Sequence, residues 1–458
     1  GVQTCALPIL SKDIRIKKGL DIKLVGGAEK TTKETSLSSF YAIQPEDFHG
    51  ITPKLVAKEG AEVKTGDTLF YSKSDERILF PSPVSGKVVE VVRGARRKVL
   101  AIKIAADPSQ EYKDFGSKEA ASMSSDEVKD YLLSAGCWPF IKQRPYDVVA
   151  NPNHAPKAIF VSAYASAPLA ADIEYTLAGK EAELQAALTA VGKLTEGKVH
   201  VSIGKNANSP FSDIKGIELH KVSGPHPIGN VGTQIAHIDP INKGEVVWVI
   251  SPQDLLVIGE LFLTGKLNFT RTVALTGSQF SKPQYVTAIA GALIADVTAS
   301  NLVNDNTRII SGNVLSGTQV KEEGFLRYYD NQITAIPEGD DYEFFGWNKP
   351  VFNKISTSRA LTFSWLTPNK KYDLNTNTNG EHRAFVVTGS YENVFPLDMY
   401  PMQLLKAFMV KDLDEMEALG GYEVAPEDFA LTEFICVSKQ PHQQIIREGL
   451  DLMREELG

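Results

Sequence analysis

Apolar positions along this chain change their period several times, and each change marks a different kind of element. Ile14 and Ile16, then Leu20, Ile22 and Leu24, alternate with polar residues, which predicts strands kinked at Gly19 and ended by Gly26-Gly27. The polar stretch 28–39 reads as a loop. From Ile51 to Ile104, short apolar runs (Val88, Val89, Val91, Val92; Val99, Leu100, Ile102, Ile104) are cut by turn residues, the pattern of a compact all-β unit. Gly60, Gly66 and Gly86 sit where tight turns need a positive φ, and Pro81 and Pro83 belong at strand ends or edges.

Helical spacing first appears after Ser124-Ser125-Asp126-Glu127, where Val128, Tyr131 and Leu132 share one side and Gly136 closes the helix. Lys157–Ala163 is a continuous apolar run, as expected of a parallel strand buried on both faces. A helix over Lys180–Lys193 follows, with Leu184, Ala187, Leu188 and Val191 at helical spacing, then strands at Val199–Ile203 and Ile217–Lys221. Strand–helix–strand order predicts a Rossmann-like α/β layer with right-handed crossovers. Further on, Arg271–Leu275 and Thr307–Ile310 read as strands flanking a small-residue helix over Ile289–Ala299, which suggests a β-grasp unit of the soluble-ligand-binding type. Ala384–Val387 reads as a short strand, followed mostly by helices to Gly458. The class is thus α+β multidomain. Its segments are an N-terminal strand and barrel region over 11–107, a helical linker over 108–150, the α/β layer over 151–265, the β-grasp unit over 266–345 and a mostly helical region over 346–458.

Length and composition fit this division. A chain of 458 residues has room for about three domains. With 23% charged and 43% hydrophobic residues it is ordinary globular material. A formal charge of −8 argues against a dedicated nucleic-acid binder. The densest basic spot, Arg93, Arg96, Arg97 and Lys98, reads as a solvated hairpin loop or as a contact for an acidic partner. Cys5, Cys137 and Cys436 have neither metal nor redox spacing, which fits a reducing compartment, and Cys436 lies in an apolar run as a small hydrophobe. Tyr285–Ala295 and Val246–Leu263 are the most apolar stretches, and both are too short or too interrupted to span a bilayer, so any membrane role would be peripheral. Gly1–Leu10 has no positive leading region and reads as foreign to a chain that starts near Ser11.

The all-β unit has the turn and strand spacing of a biotinyl/lipoyl-type carrier, a flattened barrel-sandwich whose hairpin tip carries a modified lysine. Counting back from Gly86 places Asp75 at that tip, in Ser72-Lys73-Ser74-Asp75-Glu76. Lys73 is two residues away and lacks the usual flanking residues, so it reads as a solvated turn lysine and no attached cofactor is expected. The α/β layer likewise lacks a nucleotide loop. After Ala163 the chain runs Tyr164-Ala-Ser-Ala-Pro168, without the three glycines that admit a pyrophosphate.

The least ordinary stretch is Ser223–Pro240, with three glycines, three prolines, two histidines and an acid in 18 residues. Glycine lets a ligand or a second backbone come close, and histidine can bond to a carbonyl oxygen or move a proton near neutral pH. His226, Pro227, Gly229 and Gly232 are therefore candidates for a binding loop, with a long structural loop as the equal alternative. His226 and His237 lack a third partner for a metal. Trp138, Phe140 and Tyr146 read as packing between domains rather than as a platform for a ring.

Several blocks, taken in order, resemble one family: Ile16–Asp21, the carrier-like core, Val92–Arg97, Gln143-Arg144-Pro145, His226–Gly232, Thr276–Gln279 and Phe395–Asp398. The chain from Ser11 on is similar to the A subunit of the Na+-translocating NADH:quinone reductases. The resemblance implies a peripheral protein on the cytoplasmic face of the bacterial inner membrane, in a six-subunit respiratory complex that exports sodium. It implies no redox cofactor in this chain. FAD, FMN, riboflavin and iron–sulfur would lie in partner subunits, and ubiquinone, the substrate, would bind beside the B subunit. Relatives in Rnf-type complexes and in complex I carry a Gly-rich FMN loop and cluster cysteines, both missing here. A non-catalytic scaffold of an Rnf-type complex is the alternative.

Overall fold

Between Phe40 and Ala106 the apolar alternation resolves into two small antiparallel sheets that face each other. Four strands form one sheet, in the order Phe40–Ile43, Val99–Ala106, Gly86–Arg93 and Glu62–Val63. Pro53–Leu55, Thr68–Ser72 and Leu79–Pro81 form the other. The inward residues Leu69, Phe70, Phe80, Val88, Ile102 and Ile104 are buried, and the Phe70 and Phe80 rings stack at 4.4 Å. Gly60, Gly66 and Gly86 all take positive φ, as their turn positions require. This computed structural model describes residues 9–298, 301–339, 343–346, 352–355, 359, 361–386 and 389–458, so Cys5 lies outside the described residues.

The hairpin tip between Ser72 and Leu79 is tied down. Asp75 accepts two bonds from Arg77, from Nε at 2.9 Å and from Nη2 at 2.6 Å, and these bonds hold its carboxyl below the usual range. Arg77 Nη2 also donates to Asn153 Oδ1 at 2.8 Å, joining the tip to the loop before the α/β layer. A swinging carrier needs a free tip, and here the Arg77–Asn153 hydrogen bond holds it to a neighbouring loop. Lys73 is exposed beside it, its main-chain N–H bonded to Thr52.

Five parallel strands build the α/β layer in the order Ile9–Arg15, Glu218–Ser223, Lys198–Gly204, Ala158–Ala163 and Val247–Val249. Two short antiparallel strands, Lys142–Arg144 and Val148–Val149, complete its far edge. The helices Glu181–Val191 and Pro252–Thr264 cover one face, so closely that a Cβ on Gly259 would lie 1.9 Å from the Glu183 carbonyl oxygen. The helix Val231–Ile238 covers the other, packing Ile235 and Ile238 against Phe160, Val222 and Ile14. The helix Ser125–Ala135 starts with the capping box the sequence signals, Ser124 with Glu127, and ends at left-handed Gly136.

A mixed six-stranded sheet follows, ordered Thr318–Val320, Thr307–Ser311, Gln332–Pro337, Thr270–Thr276, Gln284–Ile289 and Glu29–Glu34. Its last strand lies in the stretch read as a loop. All six of its side chains are exposed, so it pairs through the main chain alone and leaves no apolar period to read. The helix expected over Ile289–Ala299 starts later: Gln284–Ile289 is strand and, among the described residues, Ile294–Thr298 is helical, because Gly291 takes positive φ between them, and Ala299 lies outside the described residues. Ala384–Phe385–Val386 forms no strand, and Val387 lies outside the described residues. The region read as a helical linker contains the two short edge strands at 142–149 besides its helix. Ile9 and Leu10, set aside with the leading segment, pair with Glu218 and Leu219.

The C-terminal helices Pro401–Val410, Leu413–Ala418, Ala430–Ile435 and His442–Leu457 enclose their own core of Phe395, Leu397, Leu405, Phe408, Phe429 and Leu450. Cys436 is buried in a separate small cluster with Tyr391 and Met402 and accepts from the Tyr391 hydroxyl. Trp138 crosses Trp248 edge-on at 5.3 Å, and Phe140 stacks on Tyr328 at 5.5 Å, so these aromatics pack one sheet against the next. The loop at Arg93–Lys98 is solvated, with Arg96 and Arg97 in left-handed backbone and Lys98 paired with Glu46. Among the described residues no helix is long and apolar enough to cross a membrane.

Candidate functional site

Two of the motif blocks, Ile16–Asp21 and His226–Gly232, meet at the carboxyl ends of the parallel strands. Ala158–Ala163 runs out into Tyr164–Ser166, and the chain returns through 223–230 to open the helix Val231–Ile238. In open α/β sheets the crevice at this end is the usual ligand site. Here main chain from the Ile16–Asp21 block and from the His226 loop occupies it.

His226 sits at the centre of this junction, 3% exposed, and its bond to Pro227 is cis. Its main-chain N–H donates to Asp21 Oδ1 at 2.9 Å, and its carbonyl accepts from the Leu20 N–H at 2.9 Å. On the ring, Nδ1 lies 3.0 Å from Ser166 Oγ, and that oxygen also accepts from the Gly229 N–H at 2.8 Å. Burial pulls the imidazole pKa down to about 4, against the opposing charge of Asp21. His226 is therefore neutral at pH 7 and works as a hydrogen-bonding group there, not as a proton carrier.

The two glycines of the loop are needed for close approach. A Cβ on Gly229 would lie 2.6 Å from the Ser166 nitrogen and 2.7 Å from the Tyr164 carbonyl oxygen. One on Gly232 would lie 2.4 Å from both Arg144 Nη1 and Asp428 Oδ1. Pro227 is buried within the same junction. His237 is exposed at the far end of the eight-residue helix, bonded to the Thr233 carbonyl. Among the described residues, neither His226 nor His237 belongs to a group of three side chains close enough to ligate one metal ion.

Arg144 ties this junction to the C-terminal helices. Its guanidinium, 2% exposed, donates from Nη1 to Asp428 Oδ2 and from Nη2 to Glu427 Oε1, both at 2.8 Å. Burial works against its charge, and Asp428 and Glu427 more than offset this, so its pKa stands above the ordinary arginine value. Asp428 Oδ2 also accepts from the Ala425 N–H at 2.9 Å, while its Oδ1 is buried without a partner. The loop is closed from inside by Gln234 Nε2, which donates to Ser162 Oγ and to the Ile228 carbonyl.

Residues 14–107 match the family model described as the NqrA N-terminal barrel-sandwich hybrid domain. Residues 123–267 match the NqrA second alpha/beta domain, and 272–322 the NQRA C-terminal domain. The A subunit of the Na(+)-translocating NADH-quinone reductase of Neisseria meningitidis serogroup B is 36% identical over 446 residues, covering 97% of this chain and 100% of the relative. The chain belongs to this A-subunit family. Family members from Serratia proteamaculans, 36% identical over 97% of this chain, and Rhodopirellula baltica, 35% identical over 96%, are matched over 100% and 98% of their own lengths. Among solved structures, an NAD+-reducing [NiFe]-hydrogenase in the H2-reduced state aligns with 73% of this chain and 61% of its own at 10% identity and a TM-score of 0.35.

Four residues of the junction were not singled out as site residues from the sequence. Asp21 and Arg144 lie inside the quoted blocks, Asp21 two residues after Gly19 and Arg144 directly before Pro145. Ser166 carries no local signal, because its partners His226 and Gly229 lie 60 and 63 positions away, and the bond from Arg144 to Asp428 spans 284 positions.

Proposed function

We propose that this chain serves as the peripheral A subunit of a Na+-translocating NADH:ubiquinone oxidoreductase, contributing to quinone binding and complex assembly on the cytoplasmic face of a bacterial inner membrane. The observation that carries this reading is the likeness to that family over 97% of the chain. The B subunit is the neighbour expected at the quinone site, and FAD, FMN, riboflavin and the iron–sulfur centre belong to other subunits. The seven-stranded sheet is read as Rossmann-like and the six-stranded one as β-grasp, with the segment limits 11–107, 108–150, 151–265, 266–345 and 346–458.

At the candidate site, the neutral His226 imidazole supplies a hydrogen bond to a quinone carbonyl, while Pro227, Gly229 and Gly232 shape the loop around the ring. A second reading has an observation in its favour: His226 is buried with its main chain and Nδ1 already bonded, which suits the structural junction of a scaffold protein. His226→Asn in the assembled complex separates the two, because the amide keeps the bond to Ser166 and removes the far ring nitrogen. The quinone reading expects the KM for ubiquinone to rise roughly three- to tenfold, about 1 kcal/mol for one hydrogen bond. NADH oxidation by an artificial acceptor should not change. An intact complex with an unmoved KM would assign the loop to structure.

A further inference from the structure

At the opposite end of the same sheet, three metal-ligating side chains meet. The parallel register sets His200 opposite Glu218 and Ser202 opposite His220. Side chains two apart on a strand share a face, so His200, Glu218 and His220 all project towards the side covered by Val231–Ile238. His200 Nδ1 lies 3.0 Å from His220 Nε2 and 3.5 Å from Glu218 Oε2. The ligand atoms of all three lie within 4.8 Å of one another.

We propose that His200, His220 and Glu218 form a binding site for a divalent transition-metal ion, with zinc(II) as the best match. Two imidazole nitrogens and a carboxylate oxygen are a common three-ligand set for zinc, with an open fourth position. At zinc–nitrogen distances of about 2.0–2.1 Å, two ligands of a tetrahedral ion stand roughly 3.3 Å apart. The observed 3.0 Å and 3.5 Å bracket that spacing. The carboxylate-to-ring distance is long for a good hydrogen bond, yet suits two ligands of one ion.

The surroundings allow the ion in and hold the ligands. His200 and His220 are 7% and 1% exposed, and the Phe160 ring packs against His200 at 4.9 Å between centroids. The Glu218 side chain is 26% exposed and forms the open side. Burial keeps both imidazoles neutral at pH 7, pulling each pKa down to about 4, so protons do not compete for the ligand nitrogens. The proton now shared between the two rings moves to the far nitrogen of its own ring, so no net proton is released. Asp239 adds negative charge nearby, while Lys12 and Lys198 oppose it.

Chelator-competition titration of the metal-free full chain with zinc tests the site, with cobalt(II) absorption as a report on nitrogen and oxygen ligation. The expected result is one zinc per chain with a dissociation constant below about 1 μM, weakened at least tenfold in Glu218→Gln and His200→Gln. Glu218→Gln is the safer variant because its side chain reaches solvent. A wild-type dissociation constant weaker than about 1 μM, or a tight one that Glu218→Gln weakens less than tenfold, overturns the proposal.

Discussion

Asp428→Ala is expected to destabilise the protein by about 3 kcal/mol, the usual cost of removing one partner from a buried ion pair. Asp428 is the fully buried partner of Arg144, with 0% side-chain exposure against 40% for Glu427. Its loss leaves a guanidinium that is itself 2% exposed with one solvated carboxylate, and leaves the Ala425 N–H without its cap. Asp428→Asn keeps the shape and one acceptor, so about half that loss is expected. Replacing both partners, Arg144→Met with Asp428→Leu, should recover most of the stability, because an apolar pair carries no desolvation cost. Urea denaturation of the four proteins checks the series. Equal stability of Asp428→Ala and wild type would show that the pair does not join the α/β layer to the C-terminal helices.

Gly19→Ala is expected to cost about 2–3 kcal/mol and to loosen the His226 loop, for two separate reasons. Gly19 has φ +146°, backbone that residues with a Cβ rarely adopt, and the new Cβ would lie 2.2 Å from the His226 carbonyl oxygen. That oxygen accepts the Leu20 N–H, so relief of the clash breaks the bond that holds the two blocks together. Gly27→Ala is the control, since no atom lies within 4 Å of its Cβ position, and it should be near neutral. Hydrogen exchange at Leu20 and at the His226 amide would show the loosening directly. Unchanged protection at both amides would contradict it.

How far the sequence carried depends on where each contact partner lies. The parallel strand at Ala158–Ala163 was legible because burial on both faces writes a continuous apolar run. The helix at Ser125–Ala135 was legible because its caps are local. Glu29–Glu34 was not, since a wholly exposed edge strand pairs through its main chain and its sequence pattern is polar. At the candidate site, the glycines and His226 stood out by composition. The residues that fix them, Ser166, Arg144 and Asp428, come from distant segments and need the fold to bring them there. His200 and His220 lie 20 positions apart in the chain, and only the register of their strands shows that they meet.

The central claim is that quinone is bound in part by this chain, at the His226 junction. The most direct measurement is photolabelling of the assembled complex with a photoreactive ubiquinone analogue, followed by peptide mapping. The account predicts label in peptides spanning 16–24, 164–168 or 223–240 of this chain, lost when ubiquinone is added in excess. Competable label confined to other subunits, or to other peptides of this chain, would contradict it.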